Sequence, residues 1–77
     1  MENLLQRLEA CRRMGEAAYD QMYDASSPTM ATASYNDAKE AFYDAIRAAR
    51  ELGLEMEAAA LEARLEHIKA VFRSQFR

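Results

Sequence analysis

Cysteine, proline, glycine and histidine are nearly missing from this chain, and tryptophan is missing altogether. Among its 77 residues are one Cys, one Pro, two Gly and one His. The single cysteine, Cys11, allows no disulfide within the chain, so the framework that staples small secreted domains is excluded and a reducing cytoplasm is the expected setting. With so little Gly and Pro there are few places to turn, which fits long helices. No uninterrupted apolar run approaches the ~18 residues of a membrane span. The N-terminus, where Glu2 and Asn3 precede a segment broken by Gln6, Arg7, Glu9, Arg12 and Arg13, lacks the layout of a signal peptide. No membrane partner is expected. A glycine-rich phosphate loop, a zinc-ligand spacing and a nucleic-acid motif are also lacking, so neither a cofactor nor a nucleic acid is expected.

What the chain does have is apolar residues in abundance, 51% of the total, alongside 30% charged residues. That balance describes an ordered protein and not a disordered tail. At 77 residues it is one domain, 1–77, which buries only about 60% of its unfolded surface and is marginal in stability. The formal charge is -3, from 13 acidic and 10 basic residues, which argues against a nucleic-acid binder acting through its overall field. The charge is unevenly spread. Residues 15–44 carry Glu16, Asp20, Asp24, Asp37, Glu40 and Asp44 against Lys39 alone, whereas residues 64–77 carry Arg64, Lys69, Arg73 and Arg77 against Glu66.

The apolar spacing predicts three helices. In the first, about 2–25, Leu4, Leu8, Cys11, Gly15, Ala18, Met22 and Ala25 recur at steps of three and four, and Leu5, Met14 and Tyr19 widen the stripe. Gly15 costs a helix interior about 1 kcal/mol relative to alanine, so it marks a close approach, with Tyr43 or Phe72 as the expected filler. Ser27-Pro28 is a start signal, since Ser27 caps free N–H groups and Pro28 loses a donor that had no partner. The second helix is therefore expected over about 28–52, with a later start at Ser34-Tyr35 as the alternative. Its seam runs through Tyr35, Ala38, Phe42, Ala45, Ala49 and Leu52, and Gly53 suits a left-handed C-cap. The third helix, about 55–75, repeats the seam with Leu54, Ala58, Leu61, Leu65, Ile68 and Phe72. Two short connections make neighbours antiparallel, so the expected fold is an all-α, up-down-up three-helix bundle.

Ala38, Phe42, Ala45 and Ile46 follow the small-aromatic-small-aliphatic order of the second helix of a tetratricopeptide repeat, which this hairpin resembles. Met14-Gly15 and Tyr19 are loosely similar to that repeat's first helix, although Gly15 to Tyr19 is four residues where the family uses three, and the closing proline is missing. The resemblance covers about half of one repeat and implies peptide or protein binding without catalysis.

Three Tyr-Asp pairs, Tyr19-Asp20, Tyr23-Asp24 and Tyr43-Asp44, are the most unusual local pattern. Tyr19 and Tyr23 lie one turn apart and form a rail that suits either the rim of a core or an interface for a basic partner. Phe72, Arg73, Phe76 and Arg77 combine aromatics with positive charge, which suits the C-terminal end of a helix dipole or a docking tail. Tyr19, Asp20, Tyr23, Asp24, Tyr43, Phe72, Arg73 and Phe76 are thus the candidate partner-binding residues. Helix 3 also carries Met56, Ala59, Ala60, Ala63 and Val71 off its seam, an apolar surplus that calls for a partner. The function expected is a non-enzymatic protein-interaction or self-association module, with a possible homodimer. Two alternatives remain. One is a minimal metal or enzymatic site around His67, Glu62, Glu66 and Cys11, against which Glu66 and His67 point about 100° apart. The other is weak nucleic-acid or membrane binding through Arg64, Lys69, Arg73 and Arg77.

Overall fold

The computed structural model describes residues 3–75 and contains three helices, α1 (Leu4–Asp24), α2 (Pro28–Glu51) and α3 (Glu55–Gln75). α1 packs against α2 and α2 against α3, giving the expected all-α three-helix bundle. The expected helix ends hold to within two residues, apart from Glu2, which lies outside the described residues.

Local chemistry sets each boundary. Asn3 caps α1 in a reciprocal box: its side-chain oxygen accepts from the Gln6 N–H at 2.8 Å, and Gln6 Oε1 accepts from the Asn3 N–H at 3.2 Å. Ser27 Oγ accepts from the Met30 N–H at 3.2 Å, with Pro28 at the first helical position, so the earlier start is the observed one. Thr32, a poor helix former, stays helical by donating its hydroxyl to the Pro28 carbonyl at 2.9 Å, while fully buried Ala31 anchors the same turn. At the far end Gly53 adopts φ 75°. The Leu54 N–H donates to the Ala49 carbonyl and the Gly53 N–H to the Arg50 carbonyl, the paired bonds of a Schellman cap. The Leu54 carbonyl then accepts from the Ala58 N–H, so one turn ends α2 and starts α3.

The α1–α2 seam is made of small residues. Ala38, Ala41, Ala45, Ala48 and Ala49 of α2 are buried, as are Gly15 and Ala18 of α1, so the two helices approach closely. Phe42, fully buried, fills the space over Gly15: a Cβ there would lie 2.6 Å from Phe42 Cε2. The glycine does mark a close approach, but the ring is Phe42 and neither Tyr43 nor Phe72. Tyr43 points to α3, where its hydroxyl accepts from Lys69 Nζ at 2.9 Å, and Phe72 stacks on Tyr35 at 3.9 Å and 4°.

Leu8, Tyr19 and Met22 from α1, Phe42 and Ile46 from α2, and Leu61, Leu65 and Ile68 from α3 complete the core. Leu5 and Met14, expected in the α1 stripe, are outside it and exposed, because that stripe widens only toward Tyr19. Leu52 and Leu54, at the α2–α3 turn, are also exposed. The Cα envelope of 37 × 25 × 12 Å is a slab about half as deep as it is wide. Three helices in a close triangle would have more nearly equal depth and width; here α2 lies at the centre of the contacts, with α1 and α3 packed on it. No described helix is long and apolar enough to cross a membrane.

Candidate functional site

The structure distributes the expected site residues over several faces, and most of the aromatic ones already have partners within the chain. Tyr19 is only 7% exposed. Its ring meets Tyr23 edge-on at 5.2 Å, His67 at 6.4 Å, and the Arg64 guanidinium at 4.9 Å. Burial raises the Tyr19 phenol above its ordinary pKa, and the neighbouring Tyr23 hydroxyl adds to the shift. Tyr19 is therefore core, and of the rail only Tyr23, with Asp20 and Asp24, faces outward. Tyr43 sits on the α2–α3 side, bonded to Lys69, which also lies 5.3 Å over its ring. Phe72 is half-buried in its stack with Tyr35. Arg73 is exposed on the last turn of α3, and Phe76 lies outside the described residues, as does Arg77.

The same dispersal affects the two alternatives. Arg64 Nε and Nη2 donate to the two Glu16 oxygens, both at 2.8 Å. Lys69 lies against Tyr43 and 3.6 Å from Glu66. Two of the expected basic residues are thus held toward opposite neighbours, α1 and α2, and form no single basic surface. Glu62 accepts from Arg50 Nη2 at 2.6 Å, Glu66 pairs with Lys69, and His67 lies beside Tyr19. Among the described residues no group of three or more His, Cys, Asp or Glu side chains is placed to hold a metal ion.

A different feature gathers residues that the sequence reading left apart. α3 covers one side of the α1–α2 hairpin. On another side runs a groove of about 570 Å³ lined by Cys11, Met14, Ala17, Ala18 and Gln21 of α1 and by Asp37, Glu40, Ala41 and Asp44 of α2. Its floor is apolar: Ala18 and Ala41 are buried and Cys11 is half-buried, while Met14 stands 63% exposed at its edge. One rim is acidic. Asp37, Glu40 and Asp44 follow each other at three and four residues along α2, which places them one turn apart on one face. Asp44 lies 3.2 Å from Arg47. Asp37 and Glu40 have no ion pair among the described residues, and both are exposed. The groove continues past Asp44 into a smaller hollow lined by Leu4, Arg7, Arg47, Ala48 and Glu51.

A sequence signal for this groove exists. Arg7, Cys11, Met14, Ala18 and Gln21 recur at steps of four and three, and so do Asp37, Ala41, Asp44, Ala48 and Glu51. Each helix therefore carries a second row along the edge of its core seam, sharing Cys11 and Ala18 with it on α1, and these rows are the walls of the groove. The polar residues in them interrupt the apolar periodicity that marks a buried face.

The fold and this groove define a small all-α protein, a three-helix bundle with an open groove between α1 and α2. No protein-family model matches the sequence, and neither a curated protein nor a solved structure matches the chain.

Proposed function

We propose that this chain is a non-enzymatic protein-interaction module that receives an α-helix of a protein partner in the groove between α1 and α2, in a reducing cytoplasm. The observation that carries the reading is the groove itself: an apolar floor between two helix ridges, edged by an exposed methionine. Laying an apolar helix face into such a groove is a recurring mode of recognition, and methionine's flexible thioether adapts to varied partner side chains. The surface expected from the sequence, the Tyr19/Tyr23 rail, contributes less, since Tyr19 is enclosed. Catalysis finds little support, because Cys11 lines the groove while His67 lies beside Tyr19 on the α1–α3 side.

The test uses an uncharged probe, a model amphipathic helix of about 18 residues and five turns, with a leucine stripe and glutamine elsewhere. Backbone amide shifts on titration are expected at Cys11, Met14, Ala17 and Ala41, and Met14→Glu is expected to abolish them while leaving the far-ultraviolet circular dichroism unchanged. Absence of groove shifts at millimolar probe, or shifts that survive Met14→Glu, would sink the proposal.

A further inference from the structure

We infer that the groove selects a basic amphipathic helix, whose Lys or Arg residues at i, i+3 and i+7 lie along Asp37, Glu40 and Asp44 while its apolar face covers Met14 and Cys11. This rests on the reading of the groove as a helix-binding site and adds the chemistry of the partner. Charge complementarity selects this partner. The carboxylates are on the rim and not the floor, so a partner that buries the floor keeps them beside water and does not strand them in an apolar interface. Their spacing repeats that of residues on one helical face, so a cationic face of the same period meets all three together.

The α1 wall opposite contributes no positive charge along this stretch, only Gln21 and apolar groups. Positive charge appears only where the groove runs on toward Arg7 and Arg47, and there Glu51 and Asp44 accompany it. A neutral or acidic helix would leave Asp37 and Glu40 uncompensated or repelled. A second copy is a poorer occupant for the same reason, because the face as a whole carries Asp37, Glu40, Asp44 and Glu51 against Arg7 and Arg47 and would meet its own excess negative charge.

The test compares three versions of the model helix that share one leucine stripe and carry Lys, Gln or Glu at the flanking positions. The lysine version is expected to bind roughly fivefold to tenfold more tightly than the glutamine version at low salt, as three rim pairs each worth a few tenths of a kcal/mol imply, and the glutamate version more weakly than either. Asp37→Asn together with Glu40→Gln is expected to erase most of the lysine probe's advantage over the glutamine probe. Salt at roughly 0.5 M should do likewise, because the pairs are exposed. Equal affinities for the lysine and glutamine probes would overturn the inference while leaving the groove as a helix site. So would a lysine preference that survives the double substitution, or lysine-probe shifts centred on Asp20 and Tyr23. Self-association that shifts the groove amides in the absence of probe would also overturn it, by making a second copy the occupant.

Discussion

At Gly15 the helix gives up propensity to gain a contact. Phe42 packs close over the bare Cα, and a methyl group there would lie 2.6 and 2.7 Å from two ring carbons. Gly15→Ala gains about 1 kcal/mol of helix propensity, yet forcing an extra carbon into a filled core costs about 1–3 kcal/mol. The second effect prevails because Phe42 is fully buried and has nowhere to turn. A lowered urea midpoint is expected for Gly15→Ala. Combined with Phe42→Leu, which frees the space, the alanine should cost less than it does alone, a coupling that a double-mutant cycle measures. Equal costs in both backgrounds would show that the ring and the glycine act independently. The glycine's meaning was legible from its position, but its partner was not: Phe42, Tyr43 and Phe72 are all large rings, and only the rotation of α2 about its axis and the placement of α3 select among them.

At the scale of elements, the ends are held by a few side chains whose loss is predictable. Ser27→Ala removes the acceptor for the Met30 N–H and should cost about 1 kcal/mol. Gly53→Ala forces a Cβ into a left-handed residue at φ 75°, again at about 1 kcal/mol. Both are read from denaturant unfolding followed by circular dichroism. Neither should change binding of the uncharged probe, since neither residue lines the groove. Serine before proline and glycine after the last periodic residue announce these ends in the sequence because caps are local, satisfied within a few residues of the chain. α3 is the contrasting case. Its outer face carries Met56, 88% exposed, with Ala59, Ala60 and Ala63, while Ala58, Leu61, Leu65 and Ile68 face inward. The apolar surplus expected there is present, and of its members only Val71 is recruited against the core.

Across the whole molecule, Glu16 and Arg64 tie α1 to α3 over the edge of the central helix. Hydrogen bonding from Arg64, reinforced by its charge, holds the Glu16 carboxyl below its ordinary value of 4.5. A carboxyl with a lowered pKa in the folded state contributes stability above its unfolded value and loses it as pH falls through the folded one. Glu16→Gln is therefore expected to lower stability at about pH 7, by no more than ~1 kcal/mol because both partners are partly exposed, and to make little difference at about pH 3. Urea midpoints of the two proteins at both pH values decide it, and a gap that persists in acid would mean that the contact acts through packing and not charge. The same clip draws Arg64 to α1, while Tyr43 draws Lys69 to α2, so these two basic side chains do not share one surface.

The sequence by itself determined the helix count, nearly every boundary, the antiparallel order and most of the core, because these depend on periodicity, caps and short connections that act over a few residues. Tertiary structure alone decided which surfaces remain open. Tyr19 and Tyr23 sit one turn apart with similar local chemistry, yet one is enclosed by Arg64 and His67 and the other is 46% exposed. The groove likewise exists only because α3 lies against the opposite side of the hairpin, turning the second rows of α1 and α2 outward together. Exposure depends on the rotation of each helix and on contacts 48 residues apart in the chain, such as Glu16 with Arg64, and no local pattern encodes those.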